Sequence, residues 1–244
     1  SRGIGLALGR AMTGAGWKVW GTCRRDADLV SEAGVTPIHL DIQSGQNFDG
    51  IRDNILEYTE SLDLIIHNAA LSSTNDVVPA SQSNLTFGTL DSEGLINYLS
   101  VNALAPLMLT QSLLPLLRKG ESPTVMCVST RKAAITNVVS GGNYGYRGSK
   151  SLFNMWMRLM AVDLKEEGIL VYGVHPGHVR TRMGGEKAPL SPEESAQQAH
   201  SYLEQGVKSV KPRVAGNRKD EKVIEAVRVA IGDKADLMLD ANEK

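Results

Sequence analysis

The stretch L-D-L-I-I-H-N-A-A, residues 62–70, decides how this chain folds. Its apolar run is too short for a helix and too continuous for a strand with one face in water. It reads as a strand buried on both faces, the kind that sits in a parallel sheet with helices above and below. Three more runs read the same way: V-T-P-I-H-L-D-I at 35–42, P-T-V-M-C-V-S-T at 123–130 and I-L-V-Y-G-V-H-P-G at 169–177. With the β-type run at 17–23, the expected strands are Trp17–Cys23, Val35–Asp41, Leu62–Asn68, Thr124–Thr130 and Ile169–His175. Between them lie helical patterns at Ile4–Thr13, Asn47–Glu60, Ser92–Leu117 and Tyr144–Glu167, followed by Pro192–Gln205. Strands alternating with crossover helices define an α/β fold, a doubly wound parallel sheet with helices on both faces.

The bulk properties fit that class. A chain of 244 residues, 42% hydrophobic with net charge -1, has the balance of an ordinary globular protein. It carries no basic face for nucleic acid and no acidic tail. Cys23 and Cys127 both fall in apolar β-type runs, which points to reduced thiols rather than a disulfide framework. No signal peptide or charge-free apolar span is evident, so the expectation is a cytoplasmic protein with no membrane partner. The chain opens on Ser rather than Met, read here as a processed, trimmed or incompletely recorded start. Leu71–Asp91 is polar and without period, which predicts a long surface loop.

Two short motifs could carry chemistry. In S-R-G-I-G, residues 1–5, Gly3 and Gly5 precede a helical run, where backbone N–H groups can approach a pyrophosphate; an N-terminal turn is the plainer alternative. In Y-R-G-S-K, Tyr146 and Lys150 share one helix face, so the ammonium is expected to lower the phenol's pKa and ready it for proton exchange. A solvated helix face is the plainer reading of that pair. His39, His67, His175, His178 and His200 show no metal-ligand spacing, and no metal site is expected.

Read in order, S-R-G-I-G, H-N-A-A at 67–70, N-A at 102–103, V-S-T at 128–130, Y-x-x-x-K at 146–150 and P-G-H-V-R-T at 176–181 resemble the short-chain dehydrogenase/reductase family. N-Y-G-Y-R-G-S-K and H-P-G-H-V-R-T-R-M look most like its C-factor or sniffer-type carbonyl reductase branch. The resemblance covers Ser1 to about Ala199 and implies a Rossmann-type NAD(P)-binding domain over 1–199. It implies a carbonyl reductase in which Tyr146 protonates the carbonyl oxygen and Lys150 lowers its pKa. Asn102 would sit at a disturbance in its helix and hold a proton-relaying water, and Pro106 should bend that helix. Where the family has a second Ser, this chain has Thr130; it is preferred to Ser129 because successive strand side chains face opposite ways. A small ketone or aldehyde is the implied substrate, and a homodimer or homotetramer built on the two long helices the implied assembly. A non-catalytic dinucleotide-binding or signalling protein of the same fold is the alternative.

For the cofactor, the resemblance implies contacts from Ser1, Arg2 and Ile4 in the loop, Asp41 and Ile42 at the adenine, and Asn68 and Ala69 beside the adenosine. Tyr146 and Lys150 would meet the nicotinamide ribose, and Pro176, Val179 and Thr181 the carboxamide. Arg24 stands where an NAD-preferring chain places an acid, and with Arg2 it offers donors to a 2′-phosphate, so NADPH is expected over NADH. The family places a strand directly before the glycines; Ser1 then opens on the second half of a phosphate loop, and the central strand between Trp17–Cys23 and Leu62–Asn68 is expected to be missing.

The tail from about residue 200 differs in character: strand at Val207–Val214, helix at Asp220–Ile231, strand at Ala235–Leu239. It resembles a strand-helix-strand piece of the enolase superfamily, mandelate racemase type, with Lys211 and Arg213 as a basic pair and Asp240 as a lone carboxylate. One carboxylate is too few for a hard divalent cation. The tail is expected to be an appended 200–244 segment, joined near Ser195–Tyr202 in a chimaeric chain.

Overall fold

The computed structural model describes residues 2–42, 48–72 and 86–204, and four two-residue strands beyond them. It falls into two compact units, Ser1–Ala196 and Gln197–Lys244. In the first unit, α1 (Gly3–Gly14) leads to β1 (Trp20–Cys23), α2 (Ala27–Glu32) and β2 (Thr36–His39). Then come α3 (Phe48–Leu56), β3 (Leu64–His67), α4 (Ser92–Leu99), α5 (Ala105–Leu117), β4 (Thr124–Val128), α6 (Tyr144–Asp163) and β5 (Leu170–Val174); α7 (Pro192–Glu204) begins in this unit and ends in the second.

Every pairing in this unit is parallel. One sheet has the order β1-β2, with Trp20 opposite Thr36; the other has the order β3-β4-β5, with Leu64 opposite Thr124 and Thr124 opposite Leu170. The five expected strands all form, each shorter than its apolar run, because the run continues into the turns that leave the sheet. Val125, Met126 and Cys127 of β4 are fully buried, as a strand flanked on both edges and both faces requires. A single apolar cluster joins the layers: Ile38 and Leu40 from the β2 side, Ile51 and Ile55 of α3, Leu113 and Leu117 of α5, and Phe153 and Met160 of α6. Among the described residues no strand lies between β1 and β3, and their facing sides border a cavity of about 1140 Å³.

Four local features refine the expected elements. The disturbance expected around Asn102 in the Ser92–Leu117 stretch is a π-turn, Ser100–Leu104, between α4 and α5. Pro106 has no N–H to give the Asn102 carbonyl four residues back, so the register changes beside it. Tyr144–Glu167 divides into α6 and a 3₁₀ turn at Lys165–Glu167, closed by Gly168 at φ 72°. Helix α2 was not expected; its six residues follow Asp26 in the left-handed region and bury only Val30, too little to give a period. The Thr130–Tyr146 connection carries two 3₁₀ turns, Arg131–Ala133 and Ile135–Asn137.

Residues 73–85 of the expected loop lie outside the described residues, as does Asp220–Ile231 of the tail. In the second unit, β6 (Ser209–Val210) pairs parallel with β8 (Asp236–Leu237), and β7 (Arg213–Val214) pairs parallel with β9 (Asp240–Ala241).

Candidate active site

Parallel strands put all their C-terminal ends on one edge, and the motif residues collect there. Thr130 lies just past β4, with Tyr146 and Lys150 on the first turns of α6. The Thr130 hydroxyl accepts from the Lys132 backbone at 3.3 Å, and it lies near enough to Tyr146 to draw the phenol's pKa down. Ser129 points elsewhere: its Oγ donates to Asn154 Oδ1 at 2.6 Å. Ser129 nevertheless lines the cavity, whereas Thr130 is not among its lining residues.

Lys150 is almost wholly buried, with Nζ donating to the Val128 carbonyl at 2.9 Å and lying 4.8 Å over the Phe153 ring. Burial holds its ammonium down to about 8, against a smaller opposing pull from Cys127. The expected lowering of Tyr146 by Lys150 is not what this geometry gives. Burial raises Tyr146 above the ordinary phenol value, and the Thr130 hydroxyl offsets this only in part. The reason is the direction of Nζ, which is turned to the Val128 carbonyl while its charge bears on Cys127 and His67.

Asn102 is completely buried inside the π-turn. Its Oδ1 accepts from Leu71 N at 2.7 Å, and its amide donates to Leu71 O at 3.0 Å and to Ser149 Oγ at 2.9 Å. Both amide hydrogens are therefore committed to protein, so the side chain offers none to a relay water. Ser149 passes the connection on, donating to the Tyr146 carbonyl at 2.9 Å. Sequence reasoning did not single out Leu71 and Ser149, which lie 31 and 47 residues from Asn102 and leave no local signal.

The cleft beside these groups suits a dinucleotide. Gly3 has φ 55°, a conformation costly for other residues, and a Cβ on Gly5 would come within 2.7 Å of Asn68 Nδ2. Arg2, Ile4, Arg24, Asp41, Ile42, Asn68, Ala69, Tyr146, Lys150, Pro176 and Thr181 all line the cavity. Ser1 lies outside the described residues. Val179 does not line the cavity: it is buried and bridges to Leu190 through the backbone, which fixes the loop rather than the ligand. Arg182 and Met183 line it instead, unforeseen. Arg24 and Asp41 form a loose ion pair, 3.9 Å apart and partly exposed, weak enough to yield to a phosphate. Among the described residues no group of three or more His, Cys, Asp or Glu gathers at one point. Cys23 and Cys127 are both free and buried.

A parallel α/β sheet with a glycine turn at one helix start and Thr, Tyr and Lys at its C-terminal edge defines a dinucleotide-dependent oxidoreductase. The model of the short chain dehydrogenase family matches residues 1–190, and the chain belongs to that family. It is an NAD(P)-dependent oxidoreductase. The C-signal of Myxococcus xanthus is 36% identical over 132 residues, 54% of this chain and 74% of that protein. The 1-hydroxy-2-glutathionyl-2-methyl-3-butene dehydrogenase of Rhodococcus sp. (strain AD45) is 28% identical over 200 residues, 80% of this chain and 83% of that one. The structure of carbonyl reductase Sniffer of D. melanogaster superposes with a TM-score of 0.72 at 27% identity, covering 83% of this chain and 87% of that one. The NADPH-bound carbonyl reductase from chicken fatty liver gives 0.69 at 25%, covering 80% and 81%. The enolase-type resemblance of the tail finds no support in these comparisons.

Proposed function

We propose that the chain is an NADPH-dependent carbonyl reductase that converts a small ketone or aldehyde to the alcohol, with Tyr146 as proton donor. The observation that carries this reading is Tyr146 and buried Lys150 lining one cavity at the sheet's C-terminal edge, with Thr130 just past β4 beside them. When bound, the reduced nicotinamide supplies the hydride to the carbonyl carbon. A phenol held above its ordinary pKa stays protonated through neutrality, the state a general acid needs. Thr130 orients the carbonyl oxygen, which takes the Tyr146 proton as it becomes the hydroxyl. The phenolate left behind is then stabilised by the Thr130 hydroxyl, while Lys150, its ammonium turned to the Val128 carbonyl, would hold the nicotinamide ribose.

Arg2 and Arg24 support NADPH over NADH, as donors that a 2′-phosphate can engage. Similarity to two carbonyl reductases supports the substrate class. Purified protein should oxidise NADPH with small ketones, faster than NADH, and Tyr146→Phe should lower kcat by at least about 100-fold. No turnover with either cofactor, or an unaffected Tyr146→Phe, would refute it.

Exposed Met155, Leu159 and Val162 lie along one face of α6, and Ile96, Leu99 and Leu104 are exposed on α4 and the π-turn beside it. They support a homodimer or homotetramer that buries these helices. The free buried cysteines support a cytoplasmic setting, which fractionation of the source cells checks. The relative named C-signal favours a second reading, a signalling protein that binds the dinucleotide without turnover. NADPH binding by fluorescence with no oxidation in the ketone panel would select it.

A further inference from the structure

His67 is a buried titratable side chain at the end of β3 that the proposed chemistry does not use. Its Nε2 lies 2.7 Å from Thr110 Oγ1 on α5. Thr110 gives its own proton to the Pro106 carbonyl at 2.8 Å, so only its lone pairs remain for His67. Nε2 must therefore carry the hydrogen, which fixes both the tautomer and the plane of the ring. That ring meets Phe153 edge-on, with centroids 6.4 Å apart and planes at 83°. Phe153, itself buried, presents its ring to Lys150 Nζ at 4.8 Å. The contacts run unbroken from α5 through β3 to the cation on α6.

We propose that His67 is a positioning residue for Lys150: anchored by Thr110, it sets the Phe153 ring, whose electron-rich face stabilises the ammonium. The titratable groups that feel the Lys150 charge are Cys127 from β4 and His67 from β3, and Tyr146 of its own helix lines the same cavity. None of them carries an anion at neutral pH, since burial pushes the Cys127 thiol up to about 12 and raises Tyr146 as well. Beside a small pull from Cys127, the ring and the Val128 carbonyl are what favours the cation in this buried place. The consequence for the reaction rests on the proposed function, in which charged Lys150 would hold the nicotinamide ribose.

The test reads Lys150 directly, by NMR titration of the whole protein labelled with ¹⁵N-lysine, and in parallel the alkaline limb of NADPH oxidation. Phe153→Leu should lower the Lys150 midpoint by about half a pH unit or more, the size of a shielded cation–π contact. His67→Leu and Thr110→Val should move it the same way, and Thr110→Ser, which keeps the hydroxyl, should restore it. An unmoved midpoint in Thr110→Val overturns the proposal, and that variant decides the matter even if His67→Leu does not fold. A midpoint that shifts as expected in a protein with no turnover supports the positioning role and refutes only the reductase reading. A fixed midpoint with turnover intact does the reverse.

Discussion

Replacing Asn102 by Leu keeps the branched outline but adds volume in a fully buried place, so the lost hydrogen bonds set the minimum cost and crowding can only add to it. The wild-type amide satisfies both backbone groups of Leu71, at 2.7 and 3.0 Å, in a fully buried place. Leucine leaves that N–H and C=O orphaned, at about 1–3 kcal/mol each. Ser149 Oγ still donates to Tyr146 O, so its loss of the Asn102 donor adds little. Better burial of the aliphatic side chain returns roughly 1 kcal/mol. A net loss of about 3 kcal/mol lowers Tm by about 6–12 °C in a chain of this size. Thermal and urea unfolding followed by circular dichroism measure it. A Tm within about 2 °C of wild type would mean that the Leu71 backbone finds other partners, and the account of Asn102 as a buried clamp would be wrong.

Three further outcomes follow from described geometry. Burial, with a smaller push from Lys150, holds His67 down to about 4 against an unfolded value of 6.5. Between those values the unfolded chain binds a proton the folded one refuses, so stability should fall as pH drops through that window, by up to about 3 kcal/mol. His67→Asn should flatten that slope in urea titrations at several pH values; an equal slope in both proteins would rule His67 out as its source. Arg24→Ala should raise KM for NADPH about tenfold and leave KM for NADH nearly unchanged, and equal effects on both would exclude a 2′-phosphate role. Leu159→Glu should shift the protein to monomer on size-exclusion chromatography with light scattering, since a charge cannot be buried in an apolar helix contact; unchanged mass would place the interface elsewhere.

The strands were legible because burial on both faces writes a continuous apolar run, visible in LDLIIHNAA without any partner in view. The ordered motifs likewise located Thr130, Tyr146 and Lys150 before their proximity was visible. What stayed hidden depends on direction and distance. Lys150 is four residues from Tyr146, but its charge is spent on the Val128 carbonyl, and no spacing rule reveals where a flexible ammonium points. Asn102 marked a disturbed helix, while its partners Leu71 and Ser149 come from other elements. His67 was read only as not a metal ligand, because nothing near it in sequence announces Thr110 or Phe153. Helix α2 is too short to show a period.

The residues that line the cavity come from segments far apart in the chain, Arg24 after β1, Asp41 after β2, Asn68 after β3, and Tyr146 and Lys150 on α6. A ligand that touches all of them ties distant segments to one another, so its binding energy is shared among elements that make no local contact in sequence. Slowing of amide exchange on adding NADPH should therefore spread over β1, β2 and α6 together rather than stay at one loop.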